Sequence, residues 1–101
     1  MSEAPQVTDN RDESRFEIYM GGELAELIYR RRDDRLVLVH TRVPDDLGGH
    51  GLGGLLVQAA LARAKAEELT LVPLCPFARS WLKRRPDAAA GVTVDWADPE
   101  F

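Results

Sequence analysis

Apolar and polar residues alternate three times between Arg15 and Val43, and each run ends in a turn signal. Phe16, Ile18 and Met20 alternate with Arg15, Glu17 and Tyr19, which is the period of a half-buried strand. Gly21-Gly22 then reads as a hairpin turn. Leu24 to Tyr29 forms a second strand, with Leu24, Glu26 and Ile28 on one face and Ala25, Leu27 and Tyr29 on the other. Arg30, Arg31 and Arg32 carry it into solvent, and Asp33-Asp34 turns the chain back. The third strand, Arg35 to Val43, is built on the branched apolar run Leu36 to Val39. Alternation puts Leu36, Leu38 and His40 on one face and Val37 and Val39 on the other. Pro44, Asp45 and Asp46 stop it.

Beyond this point the period changes. Leu52, Leu55, Leu56, Ala59 and Ala60 recur at helical spacing, which predicts a helix from about Gly51 to Glu68. Gln58, Arg63, Lys65, Glu67 and Glu68 make its polar face. Thr70 to Leu74 reads as a short buried strand, and a strand–helix–strand step sets it parallel to the third strand. Cys75 ends that strand. Pro76 suits a helix start, and Phe77 to Arg85 forms a second helix that Pro86 ends.

The expected class is α+β: a mixed sheet in the order βββαβα, three antiparallel strands followed by a helix crossover to a parallel strand. Residues 1–14 are nearly free of apolar side chains and are expected to be a disordered tail. Residues 15–87 form the folded domain. Residues 88–101 are alanine-rich and then acidic, and no element is assigned there.

Composition narrows the partners. The chain has 101 residues and a net charge of −4, which argues against nucleic acid as a general partner. No stretch has the length of a membrane span, and the N-terminus is too polar for a signal peptide. A single cysteine excludes an intramolecular disulfide and a cysteine zinc cluster, and no metal site is expected. A cytoplasmic protein, monomeric or weakly dimeric, fits these features.

The chemistry concentrates between the third strand and the first helix. Gly48, Gly49, Gly51, Gly53 and Gly54 fall within seven positions. Strand, glycine turn and helix N-terminus make an anion-binding arrangement, because the first-turn N–H groups and the helix dipole both face the anion. The alternative is that the glycines only make a tight turn. A Walker loop is excluded, since no Gly-Lys-Ser/Thr follows, and the strand order does not fit a Rossmann fingerprint. Cys75 is open to two readings: a small buried apolar residue, or a thiol whose thiolate is favoured by the helix N-terminus behind it. His40 is either a hydrogen-bonded core residue or a general base.

Phe16–Ile18, Gly22, Ala25–Tyr29, His40-Thr41-x-Val43-Pro44, Gly49-His50-Gly51-Leu52-Gly53, Cys75-Pro76-Phe77 and Arg84-x-Pro86 together resemble the small, single-domain GCN5-related N-acetyltransferases. The resemblance covers about residues 15–87. It implies acetyl-CoA as co-substrate and an amine acceptor, which the sequence leaves unidentified. It places Thr41, Val43, Gly48, Gly49, His50, Gly51, Leu52, Gly53 and Gly54 around the cofactor, with His50 presenting backbone. It also puts Cys75 beside the thioester, as a catalytic candidate with His40. Among Arg79, Lys83, Arg84 and Arg85, at least two are read as a solvated helix end; Arg79 and Lys83 are the candidates for coenzyme A phosphates.

Three positions depart from the family pattern. Gly48 stands where Gln or Arg is usual, Trp81 near a Tyr that protonates the leaving thiolate, and Arg85 where His precedes the proline. Two functions therefore compete: acetyl transfer to an amine, and a non-catalytic module that binds acetyl-CoA or CoA. A ligand-free interaction domain is the third and weaker reading.

Overall fold

The computed structural model describes residues 5–48 and 51–96. The elements follow in the order β1 (Thr8–Asn10), β2 (Arg15–Met20), β3 (Glu23–Arg32), β4 (Arg35–Arg42), α1 (Leu52–Glu67), β5 (Thr70–Pro73) and α2 (Pro76–Arg84), with short 3-10 turns at Asp45–Leu47 and Pro86–Ala89. The sheet runs β1-β2-β3-β4-β5 in space, antiparallel up to β4 and parallel between β4 and β5. The three-strand meander, the helix crossover and the parallel last strand are as the sequence predicts.

The turns have plain causes. Gly21 and Gly22 take φ of 61° and 81°, the double positive φ of a tight hairpin. Asp33 takes φ 52° between β3 and β4, where a short polar side chain tolerates the left-handed region.

Phe16, Ile18, Ala25, Leu27, Tyr29, Leu36 and Leu38 face the core from the sheet. Leu56, Val57, Ala60, Leu61 and Ala64 of α1 and Ala78, Trp81 and Leu82 of α2 close it. α1 lies across β2, β3 and β4, and α2 packs on β4, β5 and α1, so both helices cover one face of the sheet.

The opposite face carries Arg15, Glu17, Glu26 and Arg42. Glu17 and Glu26 face each other across β2 and β3, and both are buried. Two like charges in that register would repel. Arg15 sits between them, 2.5 Å from Glu17 and 3.1 Å from Glu26, while Arg42 reaches Glu26 at 3.4 Å.

Two expectations are corrected. Thr8–Asn10, expected within a disordered tail, pairs with β2. Its polar side chains are held from a distance in sequence: Tyr29 Oη donates to Asp9 at 2.5 Å, and Arg63 Nη1 donates to Asp9 at 3.1 Å. Arg11 adds a bond to Glu67 at 2.8 Å. The second correction concerns His40. Tyr29 pairs with Leu38 and Ile28 with His40, so Val39 is an unpaired bulge. A bulge inverts the alternation beyond it. His40 is therefore exposed on the face away from the helices, and Thr41 turns inward.

In the region left unassigned, Val94 bridges Leu71, and Arg35 pairs with Asp95. The Trp96 ring lies beside the charges of Arg79 and Lys83 at 5.6 and 5.8 Å.

Candidate functional site

The ladder between β4 and β5 ends at Leu38 and Pro73, but β4 continues to Arg42. At the parting point, the Leu74 and Cys75 N–H groups both donate to the Leu38 carbonyl, at 3.0 and 2.9 Å. Pro76 then turns the chain away into α2. The strands separate, and α1 enters the space on the helix side.

A cleft of about 560 Å³ results. Thr41, Val43, Leu47 and Gly48 form one wall, Gly51 to Gly54 the floor, and Phe77, Trp81, Arg84 and Arg85 the other wall. Thr41 Oγ1 and Cys75 Sγ lie 3.1 Å apart across the parting strands. Cys75 is 2% exposed.

The start of α1 opens on the cleft. Gly51 is its N-cap at φ 70°, in the left-handed region, and no side chain caps the helix among the described residues. First-turn N–H groups have no intrahelical acceptor. Those of Leu52, Gly53 and Gly54 line the cleft and have no side-chain cap among the described residues. Arg84 and Arg85 add positive charge, and the Arg85 guanidinium stacks 4.8 Å from the Trp81 ring.

The glycines divide by function. Gly51 supplies positive φ. A Cβ on Gly53 or Gly54 would stand 2.6 Å from Phe77 or from the Trp81 indole nitrogen, so both glycines admit α2 against α1. The Gly48 N–H donates to the Asp45 carbonyl at 3.0 Å and is engaged in the turn. Asp46 of that turn lies near Glu23 of β3. Burial, and then the neighbouring Asp46 carboxylate, push the Glu23 carboxyl above its ordinary value.

The structure brings Thr41, Val43, Gly48, Gly51, Leu52, Gly53 and Gly54 to one cleft, with Cys75 beside it through Thr41. His40 is on the other side of the sheet from Cys75. Gly49 and His50 lie outside the described residues. Arg79 and Lys83 do not line this cleft. They flank Trp96 and line a different hollow with Pro76 and Ser80, and Arg79 Nη1 donates to the Pro73 carbonyl at 3.2 Å. The cations facing the cleft are Arg84 and Arg85. Phe77, Trp81, Arg84 and Arg85 follow helical spacing, the signal that would have separated them from Arg79 and Lys83.

A profile of the GCN5-related N-acetyl-transferase family matches residues 15–91. The chain belongs to that family. Among relatives, Protein NATD1 of Gallus gallus is 32% identical over 84 residues, covering 80% of this chain and 76% of the relative. The NMR solution structure of a GCN5-like protein from Staphylococcus aureus superposes with a TM-score of 0.69 at 29% identity, covering 92% of this chain and 90% of that one. The sheet and the two helices on one face are thus a GCN5-related fold, and acetyl transfer is the general activity of the family.

Proposed function

We propose that the protein takes an acetyl group from acetyl-CoA held in the cleft and passes it to an amine. The observation that carries this reading is the uncapped start of α1, opening beside Arg84 and Arg85 and leading to Thr41 and Cys75. N–H groups at a helix N-terminus suit a pyrophosphate, and two guanidinium groups suit further phosphate oxygens. The thioester end then falls at Thr41, next to the inner strand edge that β5 leaves open, where backbone N–H groups can stabilise a carbonyl oxygen as it gains charge.

Two routes lead from there. In one, Cys75 takes the acetyl group first. In the other, the amine attacks the thioester directly. Cys75 is buried, and His40 is not on its side of the sheet. Direct attack is therefore favoured, with His40 exposed on the outer face to accept the amine proton.

One observation favours the non-catalytic module. The Trp81 indole stands on the cleft wall, and an indole N–H is a donor only, too weak an acid to protonate a leaving thiolate at neutral pH. Solvent would have to supply that proton. Isothermal titration with acetyl-CoA tests the site, and mass spectrometry of an amine panel tests transfer. Binding at α1 without product on any amine would establish the module. No binding of acetyl-CoA or CoA would overturn both readings.

A further inference from the structure

The face of the sheet away from the helices holds a second concavity, of about 710 Å³. This is within the range of ligand pockets, roughly 300–1,000 Å³. Its floor is Val37, Val39 and Leu74, and its rim is Arg30, Arg32 and Arg35, with Asp33 at the turn.

Its position matters more than its size. Val39 and Leu74 are the residues at which β4 and β5 part. Thr41 and Cys75 stand on the helix side of that same parting, touching at 3.1 Å. The two concavities therefore approach the same parting from opposite faces, just past the last bonds between the strands, from the Leu74 and Cys75 N–H groups to the Leu38 carbonyl.

Its charge is selective. The chain as a whole carries −4. Arg35 is paired with Asp95, whereas Arg30 and Arg32 are exposed and have no carboxylate partner among the described residues. Cationic groups above an apolar floor disfavour a basic peptide and attract carboxylates.

We propose that this groove is the acceptor site and that it takes an acidic peptide through a free amino terminus. This rests on the acetyl-CoA reading above. Carboxylates along the peptide pair with Arg30 and Arg32, and its apolar parts lie on Val37 and Leu74. The neutral terminal amine reaches the parting of the strands. Its nitrogen forms a bond to the acetyl carbonyl carbon, the carbon–sulfur bond breaks, and CoA leaves as a thiolate. The amine proton passes to His40 or water, and the sulfur takes a proton in turn.

The test uses the full chain, acetyl-CoA, and pentapeptides with free amino termini that differ only in carrying Glu and Asp, Ser, or Lys. The acidic peptide is expected to be acetylated with at least tenfold higher kcat/KM than the lysine peptide. Arg30→Glu with Arg32→Glu should remove that preference while the acetyl-CoA affinity by titration stays within twofold. Both positions are exposed, so the fold is expected to survive. Amide chemical shifts of CoA-loaded protein supply a readout independent of turnover: the acidic peptide should move Val37, Val39 and Leu74. Equal use of the three peptides, a lysine preference, unmoved groove amides, or indifference to the double substitution each overturns the acceptor assignment while leaving acetyl-CoA binding intact. Loss of acetyl-CoA binding by the unsubstituted protein instead removes the reading on which it rests.

Discussion

The indole nitrogen of Trp81 lies 2.6 Å from where a Cβ on Gly54 would stand. Trp81 is only 5% exposed and has little room to retreat. Gly54→Ala gains helix propensity, about 1 kcal/mol, but overpacks the α1–α2 contact at a cost of about 1–3 kcal/mol. A net loss of up to about 2 kcal/mol is expected by urea denaturation. Gly53→Ala should cost less, although its Cβ would meet Phe77 equally closely, because Phe77 is 39% exposed and its ring can swing outward. Equal losses at the two glycines would contradict this account of the contact.

Gly51 is under a different constraint. Nothing crowds its absent Cβ, but its φ of 70° disfavours any L side chain. Gly51→Ala should cost about 1–2 kcal/mol of stability. Gly51→Val should in addition weaken acetyl-CoA at least tenfold, about 1.4 kcal/mol, as titration would measure. Gly51→Asn should be milder in both respects, since Asn tolerates the left-handed region. An unchanged acetyl-CoA affinity in a folded Gly51→Val variant would place the phosphate site elsewhere.

These two kinds of glycine look alike in sequence, which illustrates what the chain reveals by itself. Elements whose apolar residues recur at period 2 or 3.6 were legible within a residue or two, from Arg15 through α2. β1 was not. Thr8, Asp9 and Asn10 carry no apolar signal, and the partners of Asp9, Tyr29 and Arg63, lie far along the chain. The bulge at Val39 was hidden because valine looks the same paired or unpaired. Thr41, Gly48, Gly51, Gly53 and Gly54, grouped from the sequence, line one cleft. Arg84 and Arg85 required the phase of α2, which only its packing on α1 fixes.

Tyr29 links β1 to the core and gives a pH signature. Burial first, and then the hydrogen bond to Asp9, push its phenol above its ordinary value; Arg63 opposes this. The folded state therefore binds the phenolic proton more tightly than the unfolded state does. That stability is fully present below the unfolded value, about 10, and is lost as pH rises through the higher folded value. At neutral pH, Tyr29→Phe should be about 1 kcal/mol less stable through the lost hydrogen bond. The gap to the unsubstituted protein should narrow above pH 10 in denaturation series. A gap that widens there would contradict the assigned direction.

The two candidates for chemistry predict different losses. With direct attack, His40→Ala should lower kcat by about 10²-fold or more near neutral pH, with acetyl-CoA affinity nearly unchanged. Cys75→Ser should lower it by less than about tenfold, the effect of a changed neighbour to Thr41. Acetyl found on Cys75 and chased onto the amine in a single turnover would reverse the assignment in favour of the covalent route.

The bulge at Val39 also divides one strand into two reading frames. Before it, even-numbered residues of β4 answer to the core; after it, odd-numbered residues answer to the cleft. Selection on Leu36 and Leu38 for packing is thereby separated from selection on Thr41 and Val43 for ligand, though all four share one continuous backbone. The same strand paired without a bulge would merge the frames, bringing His40 inward and sending Thr41 out, whereas deleting Val39 would remove the extra residue and leave both on their present faces. A strand so paired could keep its sheet and still lose the placement of Thr41, so the extra residue in β4 is itself a part of the cleft's construction.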